Sequence, residues 1–279
     1  MANDDPVKSD SADGLPAPAV GPWARDKHAL LRLYVEVTRA TRAKFIGSGK
    51  AGATYIDLFC ASGRAYIKGT DDFIDGSPLV AWKASQFGGA TFSAVHISDS
   101  NAVWLDAAGQ RLRNAGAPVV AHSGDAIEVA KRLSVLLNPY GLHFALLDPF
   151  DLDLSFELIL ALAALKRMDL LIHVSAMELQ RNWQRYSKAA TSPLDRFAPG
   201  WRDHVDLKQA DERARLEFIR YWVSLLEGLG FKGELKFELI RGPNNIPLYW
   251  LVLVAKHEIA TKFWSKAVRV SQPQDQFDF

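Results

Sequence analysis

The sequence has almost no cysteine: Cys60 is the only one in 279 residues. A lone thiol cannot build an internal disulfide framework, and it cannot supply the ligands of a self-contained zinc or iron–sulfur site. The seven histidines also lack the spacing of a metal site. We therefore expect no bound metal and a reducing, cytoplasmic location.

Long apolar runs are absent as well. A membrane-spanning helix needs about 20 consecutive apolar residues, and the most apolar segment, residues 246–255, has only the length of a strand. Residues 1–21 lack the basic start and apolar run of a signal peptide. They are rich in Ala, Asp, Pro and Ser, so we expect a disordered leader there and a polar tail at residues 271–279.

Neither sign of charge is in excess. The formal net charge is +1, and charged residues make up 23% of the chain. This balance does not by itself require nucleic acid as a partner. Hydrophobic residues make up 48% of the chain, which is ample for a large core.

Short apolar runs alternate with helical patterns over the first two thirds of the chain. The predicted strands end near residues 57, 98, 122, 147 and 175. This alternation predicts a parallel sheet with helices on both faces. Two later apolar runs, at residues 234–241 and 248–256, are joined by a short turn and should pair antiparallel.

A parallel sheet completed by an antiparallel hairpin is the arrangement of the class I, Rossmann-like methyltransferase fold. We therefore predict an α/β protein with a mostly parallel, seven-stranded sheet. We expect one domain over residues 22–270, with an inserted polar and aromatic segment at 177–210.

Acidic residues follow the first three predicted strands. In an open parallel sheet, the ends of the strands form the ligand-binding edge. Asp57 would hold the methionine amino group of S-adenosylmethionine directly or through water, Asp99 its ribose and Asp125 its adenine. Alternatively, Asp57 caps a turn, and Asp99 and Asp125 cap helices. The predicted cofactor-binding residues are Asp57, Phe59, Ala61, Gly63, Asp99 and Asp125.

Asp148, Pro149 and Phe150 form the predicted catalytic element after the fourth strand. Amino-methyltransferases often carry an Asp/Asn-Pro-Pro-aromatic motif at this point. The carboxylate and a proline carbonyl accept hydrogen bonds from the target amine, and the aromatic ring stacks on the base. Orientation of this kind is the main contribution that a protein makes to methyl transfer. The alternative is a turn that ends the strand.

The segment 178–202 interleaves basic and aromatic residues. Such a mixture suits phosphate contact combined with base stacking, although it is also compatible with a solvated subdomain that has aromatic rings packed beneath it. The predicted substrate-binding residues are Arg181, Asn182, Trp183 and Arg185.

The chain resembles the three-Cys-motif partner (TcmP) family, whose methyltransferase-like members are encoded beside a cysteine-motif, radical-type protein. The resemblance spans residues 23–256. It rests on Trp23, Lys27, Leu31 and Tyr34, on the segments 55–63, 75–78, 124–126 and 147–150, and on the pair Arg181-Asn182. It implies a methyltransferase-like fold and a three-Cys-motif radical-type partner protein.

One position departs from the usual pattern. Methyltransferase-like turns commonly have Asp-Leu-Phe-Ala-Gly-x-Gly, and Ala61 stands here at the first glycine position, after Cys60. Glycine permits positive φ and a close approach to the ligand, so Ala61 is expected to weaken cofactor binding. Cys60 itself is expected to be a small packed side chain.

These observations favour an S-adenosylmethionine-dependent methyltransferase that acts on an amine of nucleic acid or of a nucleotide. The alternative is a non-catalytic module that binds nucleic acid or a partner protein on the same fold. A hydrolase or NAD-linked enzyme on a related sheet is disfavoured by the terminal hairpin.

Overall fold

A central sheet with helices on both faces organises the chain. The computed structural model describes residues 7–271, except for the side chains of residues 233 and 234. The strands are β1 (Lys8–Ser9), β2 (Pro16–Ala17), β3 (Ala19–Val20), β4 (Ala53–Asp57), β5 (Arg64–Ile67), β6 (Phe73–Asp75), β7 (Ala94–Ser98), β8 (Val119–His122), β9 (Leu142–Leu147), β10 (Met168–Val174), β11 (Lys232–Arg241) and β12 (Pro247–Ala255). The helices are α1 (Ala24–Val37), α2 (Arg39–Arg42), α3 (Ser77–Gln86), α4 (Ala102–Asn114), α5 (Ala126–Leu136), α6 (Phe156–Ala163), α7 (Ala176–Lys188), α8 (Pro193–Phe197), α9 (Asp211–Gly228) and α10 (Glu258–Ser271).

The central sheet has the strand order β11-β12-β10-β9-β4-β7-β8. Neighbouring strands from β10 to β8 are parallel, whereas β12 runs antiparallel to both β10 and β11. The first strand of the sheet, β4, therefore lies in the middle, and the chain winds outward from it on both sides. The structure confirms the predicted seven-stranded sheet with its C-terminal antiparallel hairpin.

Each face of the sheet has its own apolar core, because the inner strands are buried on both sides. Leu147, Ile172 and Val254 pack toward α5, α6, α7 and α9. On the other face, Tyr55 and Phe144 pack toward α1, α3, α4 and α10. The sequence analysis did not anticipate α10, which covers part of this second face.

Helix α1 crosses the second face between the two edges of the sheet. The Tyr34 hydroxyl, in the third turn of the helix, donates a 2.8 Å hydrogen bond to Oδ2 of Asp169 near the start of β10. Burial raises the pKa of Asp169 to about 7. The contact holds the C-terminal half of α1 at the amino edge of the sheet.

Residues 7–21 are ordered, which corrects the prediction of a disordered leader for this part of the chain. They form β1, β2 and β3, and β3 pairs in parallel with β5. Ala17 and Ala19 are buried, so the segment contributes apolar surface to the core. Composition is a poor guide here because the buried residues of the segment are small. Residues 1–6 lie outside the described residues.

A buried arginine attaches this segment to the body of the protein. Arg111 of α4 donates from Nε and Nη2 to the two carboxylate oxygens of Asp13, at 2.7 and 2.9 Å. Its Nη1 donates to the carbonyls of Pro16 and Ser62, at 2.9 and 2.8 Å. Ser62 belongs to the turn after β4. Arg111 therefore links the N-terminal segment, α4 and that turn.

The predicted inserted segment, residues 177–210, forms a helical subdomain. It contains α7, α8 and a 3₁₀ segment at Trp201–Asp203 that pack against α9. The ring of Trp201 lies 5.8 Å from that of Trp183 and 5.4 Å from that of Phe218, measured between centroids. The aromatic residues of this segment thus form a core beneath its surface.

The described part of the chain ends with helix α10. Ser271 is the last residue of α10, and residues 272–279, most of the predicted C-terminal tail, lie outside the described residues. Within residues 7–271, no helix combines the length and the apolar character needed to cross a membrane.

We expect Arg111→Gln to lower the free energy of unfolding by about 3 kcal/mol, since it removes a buried cation that pairs with Asp13 and leaves several carbonyls without a donor,. Urea unfolding measures this loss, and Arg113→Gln, an exposed site on the same helix, is the control. Arg111 lowers the pKa of Asp13, so the stabilisation is present above the unfolded pKa of this carboxyl and is lost as pH falls through its folded pKa. Equal stability of the two variants would contradict this role.

Candidate active site

The predicted acidic residues lie along one edge of the sheet. Asp57 ends β4, Asp99 follows β7 and Asp148 follows β9, and these three strands are adjacent. Asp125 follows β8 at the end of the sheet. Because parallel strands point the same way, their carboxyl ends bring these side chains to one edge.

Asp57 is fully buried, with 0% of its surface exposed. It accepts hydrogen bonds from the Tyr55 hydroxyl at 3.1 Å and from the Phe59 backbone N–H at 3.3 Å. Burial raises its pKa to about 6, although a hydrogen bond from the Ser77 hydroxyl opposes the shift. The turn-capping interpretation is therefore realised. A direct contact of Asp57 with a cofactor is not available, and only a water-mediated contact remains open.

The turn after Asp57 has the shape that a glycine would favour. Ala61 has a φ of 45°, in the left-handed region, which costs an L-residue about 1–2 kcal/mol. The Ala61 backbone N–H donates a 2.9 Å hydrogen bond to Oδ2 of Asp99. This bond and the packing around it hold the turn in place. The alanine is thus accommodated in the turn at the expense of backbone strain.

Asp99 is only partly buried and connects the first two strand ends. Its other carboxylate oxygen accepts from the Asn101 backbone N–H at 2.8 Å. The cap of α4 is Asn101, whose side chain accepts from the backbone of Val103 and Trp104. The helix-capping alternative therefore belongs to Asn101. Burial raises the pKa of Asp99, and its two backbone hydrogen bonds partly oppose this.

Gly63 is needed for packing. Its φ is 78°, and a Cβ atom would lie 3.1 Å from Cα of Ala108 in α4. A Cβ atom on Gly76 would lie 2.9 Å from the carbonyl carbon of Gly63, and the Gly76 N–H donates to the Gly63 carbonyl at 2.8 Å. The segment 75–78 thus packs directly on the turn and presents Ser77 to Asp57.

Two other predicted residues have clear structural roles. The Asp125 side chain accepts a 2.8 Å hydrogen bond from the Ile127 N–H and caps α5, as its alternative interpretation proposed. Asp125 is nevertheless exposed. Cys60 is buried, and burial raises the pKa of its thiol, as expected for a small packed side chain. Phe59 is half-buried and packs against the first core.

Lys27 of α1 forms an ion pair with Oδ2 of Asp148. Burial alone would raise the pKa of Asp148, but the Lys27 ammonium and then His173 reverse the effect and lower it. Asp148 is therefore held as a carboxylate even in acid, whereas Asp57 takes up a proton as the pH falls through about 6. The sequence analysis included Lys27 only as a position shared with the TcmP family, because nothing in a helical pattern shows which carboxylate a lysine will reach.

His173 of β10 is a site residue that the sequence analysis missed. Its Nδ1 lies 3.8 Å from Oδ1 of Asp148 and has no hydrogen-bond partner among the described residues. Burial lowers its pKa to about 4, so the imidazole is neutral near pH 7. Its ring lies 4.4 Å from that of Tyr249, whose hydroxyl donates to the Trp23 carbonyl at 3.1 Å. The available sequence signal was its place near the end of the fifth parallel strand.

Phe150 projects from the same edge, with 61% of its surface exposed, whereas Pro149 is buried. The next residue, Asp151, has a φ of 57°, so the chain turns sharply after the ring. The exposed ring of Phe150 and the carboxylate of Asp148 thus both follow β9, and a catalytic role for this Asp-Pro-Phe element stays a prediction.

Helix α7 starts directly after β10 and therefore begins at the same edge of the sheet as Asp148 and Phe150. Burial and the charge of Glu178 raise the pKa of Asp151, and Arg181 acts in the opposite sense. Arg181 and Arg185 are exposed, and Asn182 is half-buried. Arg181 and Asn182 thus lie in the first two turns of α7, near the edge of the sheet, whereas Arg185 lies further along the helix and donates to the Tyr186 hydroxyl at 3.1 Å.

The burial of Trp183 corrects the prediction that this residue binds substrate by stacking on a base. Only 2% of its surface is exposed, and it packs in the aromatic core of the helical subdomain. Two of the basic residues of the segment already have partners within the chain. Arg202 donates to Asp195 and to the carbonyls of Ser187 and Ala189, and Arg196 pairs with Asp153. The alternative of a solvated subdomain with packed rings is therefore correct for most of this segment.

We expect Ala61→Gly to raise the free energy of unfolding by about 1 kcal/mol, since glycine adopts positive φ without steric cost. Thermal and urea unfolding measure the change. Ala161→Gly, within α6, is the matched control and should lower stability by a similar amount. A loss of stability in Ala61→Gly would show that the turn is not strained.

We expect Lys27→Met to raise the pKa of Asp148 by about 1–3 units, because the burial of the carboxylate is then uncompensated. A carboxyl-carbon NMR titration measures this pKa directly. Lys83→Met, which removes a surface partner of Asp75, should leave Asp148 unaltered. An unchanged Asp148 titration in Lys27→Met would contradict the proposed pairing.

No protein-family model matches the chain, and no curated protein matches it in sequence. Solved structures do match its fold. An O-methyltransferase from Bacillus cereus in complex with S-adenosylhomocysteine is similar at a TM-score of 0.50 and 13% identity, over 88% of this chain and 87% of that one. Protein LPL1258 from Legionella pneumophila is similar at a TM-score of 0.51 and 11% identity, over 88% and 90%. Together with the strand order, these likenesses establish a class I methyltransferase-like fold.

Proposed function

We propose that the chain is an S-adenosylmethionine-dependent methyltransferase that acts on an amine of a nucleotide or nucleic acid. The observation that carries this proposal is the strand-end arrangement. A small-residue turn tied to Asp99 adjoins an ionised Asp148, and an exposed Phe150 follows at the same edge.

The residues present suit the cofactor. The carboxylate of Asp99 keeps lone pairs beyond its two backbone hydrogen bonds and would accept from the ribose hydroxyls. Asp125 is exposed and would accept from the adenine amino group. The positive φ values at Ala61 and Gly63 support a turn that would lie beside the amino-acid part of the ligand. When bound, S-adenosylmethionine supplies an electrophilic methyl group.

The acceptor amine would be oriented by Asp148. Its ionised carboxylate accepts an N–H hydrogen bond and points the nitrogen lone pair at the methyl group, while Phe150 stacks on a planar base. The Pro149 carbonyl would take a second N–H. The amine loses one proton after the new N–C bond forms, and the Asp148 carboxylate, which already accepts a hydrogen bond from that N–H, would take it. Such positioning contributes most of what a protein can add to this displacement.

A nucleotide or nucleic acid as the acceptor rests on fewer observations. Arg181 and Arg185 are exposed on α7, which starts at this edge of the sheet, and they would contact phosphate,. Phe150 provides one exposed ring for stacking. The TcmP family, its three-Cys-motif radical-type partner and a cytoplasmic location belong to the same proposal and rest on the sequence motifs and the single buried thiol.

A non-catalytic binding module on the same fold remains the second candidate. Two observations favour it. Ala61 strains the turn where glycine is usual, and Asp57 is sealed from direct ligand contact. Both reduce what the site offers to the methionine end of the cofactor.

Calorimetry with S-adenosylmethionine and S-adenosylhomocysteine is the first test, and we expect saturable binding of both. Asp99→Asn should weaken it by about tenfold or more, because one charged acceptor is lost while the hydrogen bond to Ala61 can persist. No binding of either compound at about 1 mM, far above an ordinary cofactor affinity, would end the methyltransferase proposal.

Transfer of a labelled methyl group to RNA, DNA and nucleotide pools tests the reaction itself. We expect Asp148→Asn to reduce transfer by about 100-fold or more, since the acceptor loses its charged partner. Asp153→Asn, an exposed carboxylate on the neighbouring loop, is the matched control and should be near wild type. Cofactor binding without transfer to any of these pools would favour the binding module.

A further inference from the structure

A cavity separate from the candidate active site, called the second cavity below, lies at the amino edge of the sheet. Its volume is about 670 Å³, within the range of sites that hold small organic molecules. The end of α1, α2, α10 and the starts of β9 and β10 enclose it. Nothing in the proposed methyl-transfer chemistry uses this cavity.

The cavity is remote from the candidate active site. Leu142 at the start of β9 lines the cavity, whereas Asp148 follows the end of the same strand. At about 3.3 Å per residue, six residues separate the two by roughly 20 Å. Strand β10 repeats the relation, with Asp169 at the cavity and His173 at the active site. A ligand in the cavity would therefore not occupy the methyl-transfer site.

Arg42 is a built polar group in the wall of this cavity. Only 1% of its surface is exposed. Nε donates to the Ala90 carbonyl at 2.5 Å and Nη1 to the Val35 carbonyl at 2.8 Å. Nη2 is buried and has no hydrogen-bond partner among the described residues. An unpaired donor on a buried cation is costly, and an anion is the partner that removes this cost.

The charges of the lining residues also favour an anion. Besides Arg42, the cavity is lined by the cations Lys44, Lys166, Arg167 and Lys256, and by a single carboxyl group, that of Asp169. Burial raises the pKa of Asp169 to about 7, and the carboxyl accepts a hydrogen bond from Tyr34. The cations outnumber the carboxyl groups at neutral pH, so the cavity favours an anion.

The remaining wall is aromatic and apolar. The rings that line it are Phe45, Phe92, Tyr140, Phe144 and Phe263. The Arg42 guanidinium lies over the Phe92 ring, 4.9 Å from its centroid, so the unpaired donor and the ring surface adjoin. Apolar walls would bury a flat hydrophobic body, and a few convergent polar groups would orient it.

We propose that this cavity binds a small aromatic acid. Its anionic group would pair with Nη2 of Arg42, and its ring would lie among the phenylalanine side chains. Nη2 has no exposed surface without a ligand, so binding would displace the side chains that cover this atom. The site is separate from the one proposed for S-adenosylmethionine and does not depend on it.

The probe for the test is 2-naphthoate, with the uncharged 2-naphthalenemethanol for comparison. We expect saturable binding of one 2-naphthoate per chain by calorimetry, at least about tenfold tighter than the alcohol, because the charged pair is lost with the alcohol. Saturating S-adenosylhomocysteine should leave this binding unchanged. Displacement by S-adenosylhomocysteine would locate the probe at the carboxyl edge and overturn the proposal.

Two variants locate the probe in the cavity. Thr41→Trp places a large ring in the cavity that Thr41 lines and should abolish binding, whereas Thr261→Trp, on α10 but outside the lining, should not. Arg42→Gln should weaken binding by about tenfold or more. If Arg42→Gln fails to fold, the pair of tryptophan variants decides. No saturable binding to the wild type, or equal binding to Thr41→Trp and Thr261→Trp, would overturn the proposal.

Discussion

Helix α1 is held across the sheet by two carboxyl groups at opposite edges, and much of the structure depends on this arrangement. Lys27 pairs with Asp148 at the carboxyl edge, and Tyr34 donates to Asp169 at the amino edge. Tyr34 lies seven positions after Lys27, which corresponds to about 10 Å of helix. One helix therefore forms part of both the candidate active site and the second cavity, and its position determines the shape of each.

The buried carboxyl groups have different pKa values because their surroundings differ. Asp57 and Asp169 have raised pKa values of about 6 and about 7, because burial is not balanced by a cation. Asp148 is also largely buried, yet Lys27 and His173 lower its pKa. Groups of one chemical type with pKa values driven apart by their surroundings are typical of sites with distinct roles. Of the three, Asp148 is the one whose pKa is lowered, and the exposed Phe150 follows it on the same loop.

The turn after β4 shows how strain at such a site is supported by the rest of the fold. Ala61 occupies a left-handed conformation that an alanine does not favour, and such conformations persist only where their surroundings enforce them. Asp99 holds the Ala61 N–H, and Arg111 holds the Ser62 carbonyl while binding the N-terminal segment. Gly76 packs against Gly63 from the other side. Residues that are distant in sequence thus maintain the turn.

The sequence alone was sufficient to predict the class of fold and the edge on which the site lies. Strands recognisable by their apolar runs end in Asp57, Asp99, Asp125 and Asp148, and parallel pairing then requires these ends to meet. Only the tertiary structure showed that Lys27 and His173 join Asp148, that Trp183 is buried, and that residues 7–21 are ordered. Periodicity reports which face of an element is apolar, but it carries no information on which distant side chain a polar group meets. Those partners are decided by long-range packing, and so are the burial and charge that give each carboxyl group its role.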